Sequence, residues 1–152
     1  MSRIDFYHLQ KDTLEQALPK LVLKAYETGK NIKITVGNEL RVDSINTLLW
    51  TFDEESFIAH GTKKDGMSEM QPVYISADDD IPNNATFLFL ADGADLSVEN
   101  IHLFDRIFYL FDGHNENELT KARSVWKMCT QENMERHYWQ QNTQAKWEEK
   151  IL

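Results

Sequence analysis

Cysteine is almost missing from this chain: Cys129 stands alone among 152 residues. That excludes an internal disulfide and any cysteine-rich metal site, and it fits a reducing compartment. Long apolar runs are missing as well. Phe87–Ala91 is far shorter than the roughly 20 residues a spanning helix needs, and residues 1–11 lack the apolar centre of a signal peptide. The sequence therefore reads as a cytoplasmic protein with no membrane role. Three prolines, six glycines and no low-complexity tract argue against disorder outside the ends. Positive charge is scarce, with 16 basic against 25 acidic residues and a net charge of −9. Such a balance disfavours gripping a nucleic-acid backbone over a broad face.

What is present is unevenly placed. Apolar residues make up 41% and aromatic residues 11% of the chain, enough for one sizeable core. One domain over residues 1–141 is expected, with 142–152 as a C-terminal extension. Residues 77–118 hold ten acidic residues and one basic residue, Arg106, and so account for the whole net charge. Residues 119–131 then carry Lys121, Arg123 and Lys127 with no acid at all.

Periodicity predicts the elements. Ile4, Phe6 and Leu9 mark a strand, and Thr13 with Gln16 has capping-box spacing ahead of an apolar helical face from Leu14 to Ala25. Pro19 predicts a kink there or a helix that begins near it. Residues 30–37 alternate like a strand and 38–50 repeat like a helix. Residues 51–71 have no period and read as a long loop. Strands are expected over 72–76, 86–91 and 106–111, a short helix over 97–104, and a long helix over 115–131. Residues 134–152 read as irregular or as a final edge strand. Alternation of this kind predicts a three-layer Rossmann-like α/β fold, with a mostly parallel open sheet and helices on both faces.

Such a sheet hosts many functions, so function must come from sites. The first strand-to-helix turn, Gln10-Lys11-Asp12-Thr13, has no glycine to admit a phosphate, and Asp12 would repel one. No Walker motif or nucleophile elbow is present. His8, His60, His102, His114 and His137 form no pair at ligand spacing, so neither metal nor cofactor is expected. His114 with Glu116 and Glu118 reads as a solvated cap. Asp53, Glu54 and Glu55 read as the charge of a turn, and Cys129 as packing.

Two features stand out. Trp50, Phe52, Phe57 and Ile58 gather at the end of a helix and in the loop behind it, as anchors for a partner or as a satellite of the core. Arg123 and Lys127 are neighbours on one helix face with Trp126 within reach. That trio suits an acidic peptide, although a plain solvated helix face explains the residues more simply from chemistry alone.

Both features belong to a larger likeness. Phe6-Tyr7, Leu48-Leu49-Trp50-Thr51-Phe52 with Ser56-Phe57 and His60-Gly61, Gln71-Pro72-Val73, Asp112-Gly113, Ala122-Arg123 with Trp126-Lys127, and Tyr138-Trp139-Gln140-Gln141 run nearly end to end. In this order they resemble the chi subunit family of bacterial DNA polymerase III holoenzyme. The resemblance implies a non-enzymatic adaptor that links the clamp loader, through the psi subunit, to the acidic C-terminal tail of single-stranded-DNA-binding protein, and that also pairs with a repair helicase. Nucleic acid would be met only indirectly. It implies Arg123, Trp126 and Lys127, with Phe111 nearby, as the tail site, and Trp50, Phe57 and His60, with Phe52 beside them, as the face for psi or an equivalent partner. Some members carry a lysine where Leu119 stands here, so Lys121 is expected to substitute from another angle.

Asp78-Asp79-Asp80-Ile81-Pro82 imitates most of such a tail and reads either as an internal mimic or as an ordinary Asp/Pro turn. Two rival readings remain on the residues alone: a nucleotide-binding enzyme, and a direct single-strand binder stacking bases on Trp139 and Trp147.

Overall fold

A computed structural model describes residues 2–53 and 55–151. The elements in chain order are β1 (Arg3–Leu9), α1 (Leu14–Tyr26), β2 (Ile32–Val36), α2 (Glu39–Thr51), β3 (His60–Thr62), β4 (Val73–Ser76), β5 (Phe87–Ala91), β6 (Arg106–Asp112), α3 (Glu116–Gln131), β7 (Glu135–Gln141) and β8 (Trp147–Lys150). One eight-stranded sheet has the order β3-β4-β2-β5-β6-β1-β7-β8. All its strand pairs are parallel except β7 with β8. This is the mostly parallel open α/β sheet the sequence predicts.

Direction of travel explains the layers. From β1 the chain crosses to β2 and then to β3 toward one edge, so right-handed crossovers place α1 and α2 on one face. From β6 it passes β1 to reach β7 on the other side, which puts α3 on the opposite face. Two cores follow. Leu18, Val22, Ile45 and Leu49 pack with Ile34 and Phe108 beneath α1 and α2, while Ala122 and Cys129 of α3 pack with Ile4, Phe6 and Tyr109. Strand β1 serves both, because successive side chains point to opposite faces.

Helix α1 begins at Leu14 and not near Pro19, since its first turn is already held by the Gln16 side chain, which accepts the Thr13 N–H at 2.9 Å. Residues 51–71 are less irregular than expected: β3 and two short 3-10 turns lie within them. Three residues are too few to show a period. The C-terminal end holds the final edge strand offered by the sequence and one strand more. There β7 is an interior strand paired to β1, and β8 forms the sheet edge. Every side chain from Arg136 to Gln140 is half-buried, so no clean apolar alternation marks the strand.

Asp5 is fully buried on β1 and receives donors from Arg3, from Arg106 Nε at 2.8 Å and from Trp139 Nε1 at 2.9 Å. Burial alone would push its carboxyl up, but these donors hold it below the usual carboxylate range. Trp139 also stacks on Tyr7, and Trp147 meets Tyr7 edge-on, so both indoles are engaged within the fold.

The acidic turn after β4 is anchored to β2 and β4. The buried ammonium of Lys33 donates to the Asp78 carbonyl at 2.7 Å, and the Asp80 carboxylate accepts from the Tyr74 and Ser76 hydroxyls. Asp78-Asp79-Asp80 is thus a structural clasp on a buried lysine.

Candidate functional site: a groove beside α3

Helix α3 starts at Asn115, whose side-chain oxygen accepts the Glu118 N–H at 3.1 Å. Ala122 and Cys129 face the core, and burial pushes the Cys129 thiol up to about 11, in keeping with packing. One helical step away, Arg123, Trp126 and Lys127 line a groove of about 520 Å³ between α3 and the sheet. Arg123 and Lys127 are exposed while Trp126 is half-buried.

The groove floor comes from the even-numbered side of β1 and from β6 and β7. Trp126 lies edge-on to Phe6 at 5.1 Å and to Tyr138 at 6.0 Å, and the Arg136 guanidinium covers it at 4.4 Å. Phe111 adds a further apolar surface beside Tyr138. His8 Nδ1 and the Tyr138 hydroxyl share a hydrogen bond of 2.6 Å. Burial, helped by His114, draws the His8 pKa down, and burial raises that of Tyr138, so both are neutral near pH 7. Gly113 is required behind them, because a Cβ there would collide with the His8 imidazole.

The structure therefore brings together four residues singled out in the sequence: Arg123, Trp126, Lys127 and Phe111. It does not bring Lys121. That ammonium turns away, donating to the Gly93 carbonyl at 2.7 Å and pairing with Asp95 at 2.9 Å. Sequence reasoning missed His8, Tyr138, Gln140 and Lys150, all of which line the groove. The alternation of Arg136, Tyr138 and Gln140 could have revealed three side chains on one face had β7 been recognised as a strand. Electrostatically the groove contrasts with the acidic remainder of the chain: among the described residues its lining includes Arg123, Lys127 and Lys150 and no carboxylate.

The second group of candidates gathers at the end of α2. Trp50 is 5.7 Å from Phe57 and 4.2 Å from His60, ring centre to ring centre. Trp50 is half exposed and Phe57 is 65% exposed, an unusual display of aromatic surface. His60, in contrast, is buried, with its two ring nitrogens against the carbonyls of Ile58 and Asn46. Phe52 packs against the core below. Asp53 accepts the Glu55 N–H and the Ser56 hydroxyl, closing a turn; Glu54 lies outside the described residues.

A third concavity, of about 390 Å³, opens where the chain reverses direction at the C-terminal ends of β1 and β6. Ligands of doubly wound sheets usually bind at such a point. Here it is lined by the carboxylates of Asp12, Glu15, Asp92, Asp112 and Glu118. Arg41 is drawn to Glu15 at 2.8 Å and to Asp92 at 3.5 Å. The N–H groups of Lys11 and Asp12, which a phosphate would need, already donate to Oε1 of Gln141 from β7. Among the described residues there is no group of three or more His, Cys, Asp or Glu placed to hold a metal ion, and no helix is long and apolar enough to cross a membrane.

The family model for the DNA polymerase III chi subunit, HolC, matches residues 1–137. A probable DNA polymerase III subunit chi from Rickettsia prowazekii (strain Madrid E) is 29% identical over 117 residues, covering 74% of this chain and 71% of that protein. With nine-tenths of its length matched by that model, from β1 into β7, the chain belongs to the DNA polymerase III chi subunit family, accessory subunits of the replicative polymerase.

Proposed function

We propose that this chain is a non-catalytic replication adaptor, working in the cytoplasm, whose α3 groove captures the acidic C-terminal tail of single-stranded-DNA-binding protein. Membership of an accessory-subunit family implies contact with other replication proteins. The observation that carries the finer reading is the groove's lining, three cations over an aromatic floor with no carboxylate among the described residues, in a chain of net charge −9. An acidic segment ending in an apolar residue can place its carboxylates against Arg123 and Lys127 and its last side chain on Phe111 and Trp126. The exposed Trp50 and Phe57 supply a separate apolar face for the clamp-loader side, a psi subunit or an equivalent helicase partner.

Titration of a peptide ending in Asp-Asp-Ile-Pro-Phe tests the reading. Binding is expected to weaken by about tenfold or more in Arg123→Ala and to fall as salt rises. Equal binding by Arg123→Ala, or no binding by the wild type, overturns it. In the same titration Phe57→Ala should bind the peptide as the wild type does, since Phe57 is not part of the groove lining.

A further inference from the structure

We propose that β8 forms a second wall of the acidic-peptide groove and that Lys150, held in place by strand register, is its third cationic contact. This rests on the α3 groove being the tail site. The α3 wall itself presents only two cations to the groove, Arg123 and Lys127; Leu119 is apolar and Lys121 is committed to Gly93 and Asp95. The opposite side of the same groove is lined by Tyr138, Gln140 and Lys150.

The placement of Lys150 is fixed by the fold. In the β7–β8 ladder Lys150 lies directly across from Tyr138, and opposed residues share a face. Trp147 and Glu149 therefore point the other way, where Trp147 packs against Tyr7 and Glu149 meets His137. Trp147 thus pins the strand while Lys150 is aimed at the groove. The turn joining the strands is also tied, with the Asn142 N–H donating to the Lys146 carbonyl at 2.9 Å. Beyond residue 137 the chain lies outside the segment matched by the family model, so this wall comes from a part of the chain that the match does not cover.

Among the described residues one acidic group competes for the ammonium. Glu148, on the same face, sits 3.7 Å from Lys150 Nζ and also accepts from the Asn142 amide at 3.2 Å. A contact of 3.7 Å between two half-exposed groups is weak. A carboxylate of an incoming acidic peptide can replace it, so Glu148 acts as a stand-in that moderates affinity.

Single substitutions measured with the peptide ending in Asp-Asp-Ile-Pro-Phe separate these roles. Lys150→Ala should weaken binding about threefold to fivefold and reduce its salt dependence. Glu148→Gln should tighten it about twofold by freeing the ammonium. Lys146→Ala removes the same charge from the exposed hairpin and should leave affinity close to that of the wild type. If the peptide binds, Arg123→Ala loses it, and both Lys150→Ala and Glu148→Gln match the wild type, this inference falls while the tail reading stands. A loss in Lys146→Ala equal to that in Lys150→Ala reduces the effect to net charge and also overturns it. Failure of the wild type to bind the peptide removes the tail reading itself.

Discussion

The groove beside α3 and the crevice at the ends of β1 and β6 touch the same helix within a few residues, yet their chemistry is opposite. Glu118 near the start of α3 lines the crevice among four other carboxylates, and Arg123 little more than one turn later lines the groove among cations. The crevice occupies the position where a sheet of this topology usually takes a ligand. Its turn N–H groups are consumed by Gln141, its arginine by Glu15 and Asp92, and its remaining charge repels anions. The lateral groove, by contrast, offers cations over an aromatic floor. Topology alone would single out the crevice, but the hydrogen bonds around Gln141 leave its turn without free N–H groups for an anion.

The strand between the two sites offers the strongest way to disturb both. Removing the buried carboxylate in Asp5→Ala leaves Arg3, Arg106 and the Trp139 N–H without their acceptor. Stability should fall by about 3–5 kcal/mol, read as a lower midpoint in denaturant unfolding. The folded pKa of Asp5 is depressed, so its contribution is fully present above the unfolded value of about 3.9 and is lost as pH falls through the folded value. The wild type should therefore weaken below about pH 4, and Asp5→Ala should show a shallower acid limb. An unchanged midpoint in that variant would show the network to be dispensable.

A smaller effect of opposite sign is expected in the crevice. Burial raises the Glu118 pKa, with Asp112 and Asp92 adding repulsion. The favourable contribution of a raised carboxyl exists below its unfolded pKa and is lost as pH rises through the folded one. Glu118→Gln keeps an acceptor for the Asp112 N–H and removes the charge, so its melting temperature at pH 7 should rise slightly, and the gain should vanish at pH 4. A drop at pH 7 would mean that the carboxylate serves the N-terminus of α3 more than it strains the crevice. The least change is expected from nucleotides. Millimolar ATP or NAD should leave the melting temperature where it is, and a ligand-dependent rise would restore the enzyme reading.

Much of the fold was legible because its central strands are either apolar throughout or cleanly alternating and its helices carry regular stripes. Phe87–Ala91 is of the first kind and Ile32–Val36, with Lys33 and Thr35 between apolar residues, of the second, and Thr13 with Gln16 marked the start of α1. The tail candidates on α3 were legible for a local reason: residues at three- and four-residue spacing share a helix face whatever the rest of the chain does. The other half of the groove was not. Tyr138, Gln140 and Lys150 become neighbours of Arg123 only through the pairing of β7 with β1 and β8, and neither the half-buried β7 nor the largely exposed edge strand β8 carries a clean apolar pattern. Lys121 failed for the same reason, since nothing local predicts that Gly93 and Asp95 lie beneath it.

The sequence by itself determined the α/β class, the family, the scarcity of positive charge and the acid-free stretch from Leu119 to Gln131. These depend on composition, on short-range periodicity and on motifs contiguous in the chain. Only the tertiary structure decided which cations share a cavity, which carboxylates fill the crevice, and that Asp80 is bound to Lys33. Those outcomes depend on strand order and register, which bring together residues distant in the chain and fix where each charge finds its partner.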